Sequence, residues 1–212
     1  LYLRAGADLY QNNYIFSTIY RPFNLQVYGL GNKMVFTWRD VAGGTSGNNL
    51  NSDTNIAITG GAWFHVGISV DDDAEWVKFY LNGSLLTSGN IGEKLQRPDG
   101  PEPYDTDPRL GNYGVGAGNN GTRGSMADSR LYNTILTTAN FATLAAINPA
   151  TNVSGTYADP DNDLGAFGWW KLGATATGSL DVSNYGTSGS GFDGTVVGDM
   201  KSGFVKQLGS GY

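Results

Sequence analysis

Between residues 63 and 88 apolar and polar side chains alternate with a period of two, and this constrains the chain more than any other feature. A period of two puts successive side chains on opposite faces of a strand, whereas a helix repeats every 3.6 residues. Over 63–70, Phe64, Val66, Ile68 and Val70 share one face, and Trp63, His65, Gly67 and Ser69 share the other. Asp71-Asp72-Asp73 breaks this run, and from Trp76 onward Val77, Phe79 and Leu81 alternate with Lys78 and Tyr80. Asn82-Gly83 follows, a dipeptide suited to the type I′ hairpin turn because both of its central residues take positive φ. Leu85-Leu86 begins the return strand.

The rest of the chain reads in the same way. Short runs at 14–17, 25–28, 33–38 and 54–58 are bounded by Gly, Asn or Asp, as strands joined by turns are. Residues 93–108, rich in Asp and Pro, predict a long irregular loop that gathers Asp99, Glu102, Asp105 and Asp107. Residues 110–118 and 125–132 predict two more strands around Asn119-Asn120-Gly121. One stretch is helical: Thr137 or Thr138 caps a run with Phe141, Leu144, Ala145 and Ile147 on one face, and Pro149 ends it. Residues 150–165 form a polar connector, 166–172 are apolar and aromatic, and 181–191 are turn formers. With 32 glycines in 212 residues the chain is ill suited to helical bundles. Many short strands and one late helix predict an all-β fold, an antiparallel β-sandwich with a short helix near 137–147.

Composition narrows the function. The formal net charge is −6 and the 13 Lys and Arg are spread thinly, which disfavours nucleic-acid binding. Zero Cys removes disulfides, thiolate nucleophiles and cysteine metal centres together. No run of 18 apolar residues is present, so membrane insertion is not expected. No signal peptide is visible, and the start at Leu1 rather than Met suggests numbering that begins inside a longer precursor.

The stretch Trp63-Phe64-His65-Val66, continuing through the acidic turn to Leu81-Asn82-Gly83, resembles the laminin G-like, concanavalin A-like jelly-roll family. Residues 124–133 are similar to that family's "G-x-(I/L)-D-x-(V/R)-(I/L)-Y-N" strand, and 134–147 to its closing helix. The resemblance covers roughly residues 1–148. It implies a jelly roll over 1–149 whose first strands are missing or supplied by the tail. Residues 168–172, 181–186 and 192–198 are similar to the opening of such a domain. The remaining 150–212 therefore read as a connector and a tail, docked on its own sandwich or on a neighbouring chain. The resemblance also implies a core-facing or inter-sheet His65 with a satisfied local hydrogen bond, and a structural Asp128.

Sites follow from residue chemistry. His65 is the only histidine, and no Gly-x-Ser-x-Gly elbow precedes a helix, so hydrolase nucleophiles lack support. Related sandwiches host glycosidases, which need two carboxylates about 5 Å apart for retaining chemistry. The three Glu residues do not show the family's Glu-x-Asp-x-Glu spacing, and Asp71, Asp73 and Glu75 alternate only within a predicted turn. The chain is therefore expected not to be an enzyme, with a glycoside hydrolase as a remote alternative. Asp159, Asp161 and Asp163 alternate like the first half of a calcium loop, but Leu164 and Trp170 stand where that loop needs Gly and Glu. Calcium there competes with a plain acidic connector.

Aromatic rings carry the binding case, because sugars stack on Trp and Tyr while Asn and Asp take their hydroxyls. Trp38, Trp76, Tyr104, Tyr113, Trp169 and Trp170 are available, with Asn48, Asn49, Asn112, Asn119 and Asn120 in Gly-rich loops. Trp76, Tyr104, Tyr113, Asn119 and Asn120 form the candidate ligand set, and Trp76 is the best candidate for an exposed ring. The expected function is attachment by a surface-displayed module. The leading setting is a virion exterior, as a phage capsid decoration or tail protein with glycans, other virion proteins and its own copies as partners. The other is a carbohydrate-binding or adhesion module of a larger bacterial surface protein.

Overall fold

A computed structural model describes residues 2–5, 13–18, 23–28, 33–38, 48–52, 62–95, 108–111, 124–146, 164–172 and 182–194. Twelve strands are described: β1 (Tyr2–Ala5), β2 (Asn13–Thr18), β3 (Phe23–Tyr28), β4 (Lys33–Trp38), β5 (Asn48–Asn51), β6 (Trp63–Asp71), β7 (Trp76–Leu81), β8 (Ser84–Asn90), β9 (Pro108–Leu110), β10 (Gly124–Ala127), β11 (Ser129–Leu131) and β12 (Gly168–Trp170). One helix, α1 (Thr138–Ala145), lies between β11 and β12. Two five-stranded antiparallel sheets run in the orders β10-β1-β6-β7-β8 and β5-β4-β3-β2-β9, and β11 pairs with β12 in a third, two-stranded sheet.

Alternation places the core between the large sheets. Leu3, Phe64, Val66, Val77 and Phe79 from the first sheet meet Met34, Phe36 and Trp38 from the second. The sheets approach closely at Gly89, where a Cβ would lie 2.6 Å from the Leu50 side chain. Pro108, which has no N–H to give a ladder, sits on the edge strand β9, where that loss is tolerated.

Asn82 and Gly83 take φ of 48° and 80°, the left-handed pair a type I′ turn requires. The Asn82 side chain accepts from the His65 backbone N–H at 2.9 Å, while the Asn82 N–H donates to the His65 carbonyl at 2.9 Å. Thr137 caps α1 by accepting from the Asn140 N–H, and Asn140 accepts in return from the Thr137 N–H at 2.8 Å. The helix buries Phe141 and Leu144 on the outer face of the first sheet: Phe141 stacks on Tyr80, and the Leu144 carbonyl accepts from the Tyr2 hydroxyl at 2.8 Å.

Three expectations need correction. Asn48 and Asn49 lie on strand β5, paired with Trp38 and Thr37, rather than in a loop. The strand expected over 125–132 is two strands, broken at Asp128 with φ of 52°, a conformation that Asp tolerates better than most residues. His65 is buried, in keeping with its core-facing alternative, but on the outer face beside Tyr2 at a ring separation of 5.1 Å rather than between the sheets. Its Nδ1 has no hydrogen-bond partner among the described residues. The strand expected at 54–58 and most of the one at 110–118 lie outside the described residues.

Candidate functional site

The outer face of the first sheet divides into two halves. At one end α1 covers Gly67 and Tyr80, leaving Tyr80 1 % exposed. At the other end the same face is open, and the strand register sets two rows across it. Ser69, Lys78 and Ser88 form one row, and Asp71, Trp76 and Asn90 the next. These rows floor a cavity of about 380 Å³ lined by Ser69, Asp71, Ala74, Trp76, Lys78 and Ser88, with Ile135 as a wall from the segment before α1.

Trp76 is 42 % exposed, a large apolar ring left on the surface beside polar groups. Ser69 is buried and forms the bottom of the cavity, while Lys78 and Ser88 are exposed at its rim. Asp71 Oδ1 accepts from the Ala74 N–H at 2.9 Å, which fixes the carboxylate on the turn that joins β6 to β7. The turn is itself anchored: Asp72 accepts from the Leu95 N–H at 2.6 Å, and Asp73 pairs with Lys94 at 2.7 Å. The arrangement can hold a small ring with one apolar face on the indole and hydroxyls directed at Asp71, Ser69 and Ser88.

Of the expected ligand set only Trp76 falls in this cavity. Tyr104, Tyr113, Asn119 and Asn120 lie outside the described residues, as do Asn112 and the proposed calcium ligands Asp159, Asp161 and Asp163. Trp38 is buried in the core at 6 % exposure, with its indole N–H 3.4 Å from Glu93 Oε1, so it offers no sugar platform. Trp169 is also buried: its indole N–H donates to Asp128 at 2.6 Å, and the Arg130 guanidinium lies 4.2 Å over its ring. Asp128 accepts from Arg130 Nε as well, at 3.0 Å, so this carboxylate joins β11 to β12. Asp71, Ser69, Lys78, Ser88 and Ile135 were absent from the sequence-derived set. Registering β6 against β7 would have placed Asp71 beside Trp76, but nothing local marks Ile135.

Residues 4–142 match a laminin G family model of the concanavalin A-like lectin/glucanases superfamily, and the chain belongs to that superfamily. Among solved structures it is similar to a Bacteroides ovatus protein described provisionally as carbohydrate-binding, at 17% identity and a TM-score of 0.57. That match covers 89% of this chain and 48% of the other, so the chain spans about half that protein's length. It is also similar to the CBM40 domain of IT-sialidase from Ruminococcus gnavus, at 13% identity and a TM-score of 0.53, over 68% of this chain and 79% of that one. At such identities the likeness establishes the fold. No curated protein sequence matches the chain.

Proposed function

We propose that the domain is a non-catalytic glycan-binding module working on an exterior surface, with the cavity beside Trp76 as its combining site. The observation that carries this reading is a tryptophan ring 42 % exposed in a cavity with a fixed carboxylate and two serine hydroxyls. The two similar structures, one a carbohydrate-binding module and one provisionally assigned to that role, support the same reading. Either exterior setting, a virion or a larger bacterial surface protein, would use the same cavity, and the two bacterial neighbours favour the second. Asp71, Asp72 and Asp73 of the β6–β7 turn are engaged in holding the turn, which supports a binding rather than a catalytic role.

A glycan array probed with the wild-type domain and with Trp76→Ala tests the proposal. Loss of the ring should weaken binding by about 2 kcal/mol, roughly thirtyfold. Because the ring is partly exposed, the far-UV spectrum and melting temperature should hardly change. Equal binding by the variant would reject Trp76 as the platform. Sugar release from β-glucans, lost in Glu75→Gln, would reject the non-catalytic reading.

A further inference from the structure

The charges around Trp76 point to the class of glycan, an inference that rests on the glycan-binding reading above. Asp71 lines the cavity and lies directly across the strand pair from Trp76. Among the described residues, Lys78 is the only cationic side chain in the lining. It sits one row away from Trp76 and diagonally from Asp71, a spacing that long side chains can cross. The Ala74 N–H holds Asp71 beside the indole, whereas Lys78 is exposed at the rim, so the fixed charge next to the ring is negative.

A sugar ring stacked on the indole carries its substituents within about one ring width of Asp71. A carboxylate or sulfate on the Asp71 side of that ring meets a fixed carboxylate, and like charges repel even at the protein surface. A hydroxyl in the same place donates to Asp71 in a charge-assisted hydrogen bond. Ile135, 52 % exposed, and Ala74 add apolar surface that suits an uncharged substituent. We infer that the site selects uncharged sugars and rejects acidic ones.

Calorimetry with matched oligosaccharides, glucose-terminated against glucuronic-acid-terminated, tests this in the intact domain at low and high salt. The neutral member should bind at least about tenfold more tightly at low salt, and the gap should narrow as salt screens the repulsion. Asp71→Asn should narrow it further by improving binding of the acidic member. Equal or tighter binding of the acidic member, weakened by Lys78→Gln, would overturn the selectivity while leaving Trp76 as the platform. Failure of a broad panel of neutral and acidic glycans to bind, or binding insensitive to Trp76→Ala, would overturn the glycan-binding reading itself.

Discussion

The ring of Phe141 lies almost parallel to that of Tyr80, 3.8 Å between centroids, and fills the space that a side chain at Gly67 would occupy. A Cβ at Gly67 would lie 2.4 Å from the Phe141 ring. Helix α1 can rest on the sheet only because one cross-strand position carries no side chain and its partner carries a flat one. Gly67→Val should therefore lift the helix and cost about 1–3 kcal/mol, the range for overpacked cores. Phe141→Ala should cost about 3–5 kcal/mol through the cavity it leaves. Urea unfolding of both variants measures this, and a Gly67→Val midpoint equal to wild type would contradict the described packing.

Gly83 is doubly constrained. Its φ is +80°, and a Cβ there would lie 2.8 Å from the Ala142 Cα of the helix. Gly83→Val should cost more than the roughly 1–2 kcal/mol of the left-handed conformation alone. Gly92, also at positive φ but with only one atom near, the Asn90 side-chain oxygen at 3.9 Å, serves as the control. If the two glycines tolerate valine equally in thermal melts, the turn does not press on the helix.

Asp128 holds β11 and β12 together through two donors while itself 3 % exposed. Asp128→Ala should destabilise the protein by about 3–5 kcal/mol, because it leaves a guanidinium without its buried carboxylate. Residues 164–194 should become sensitive to limited proteolysis before the rest of the chain. Simultaneous cleavage throughout would show that the segment is not a separable layer.

His65 links stability to pH. Burial, aided by the nearby Arg130 charge, holds its pKa down to about 2 from the usual 6.5. The unfolded chain then binds a proton between those values that the folded chain does not. The stabilisation is complete above pH 6.5 and is lost as pH falls through that window, by about 1.4 kcal/mol per unit. His65→Phe should remove this part of the acid sensitivity. Identical slopes of unfolding free energy between pH 4 and 7 for variant and wild type would exclude the linkage.

Much of this architecture was legible from alternation and turn chemistry. Strand β4 falls on the predicted 33–38, the Asn82-Gly83 turn has the expected dihedrals, and the Thr137 cap begins the only α-helix among the described residues. Strand β5 was missed because Asn has little intrinsic strand preference, and pairing with β4 imposes the extended conformation. The burial of Tyr80 was illegible for another reason: local alternation puts it on the outer face, and the helix that covers it arrives sixty residues later. The site divides in the same way. Trp76 follows from the strand pattern, whereas Ile135 joins it only through the path of the chain before α1.

Strand β1 occupies an interior position in its sheet although it stands at residues 2–5, with one neighbour at 63–65 and the other at 124–127. On the ribosome, β1 therefore waits for residues 124–127 to emerge before its second edge is covered. Pairings at such separations are slow to form, and an uncovered strand edge in the interval invites pairing with other chains. Folding yield should thus depend on synthesis rate and on chaperones that shield the early strands, more than on the stability of the finished sandwich.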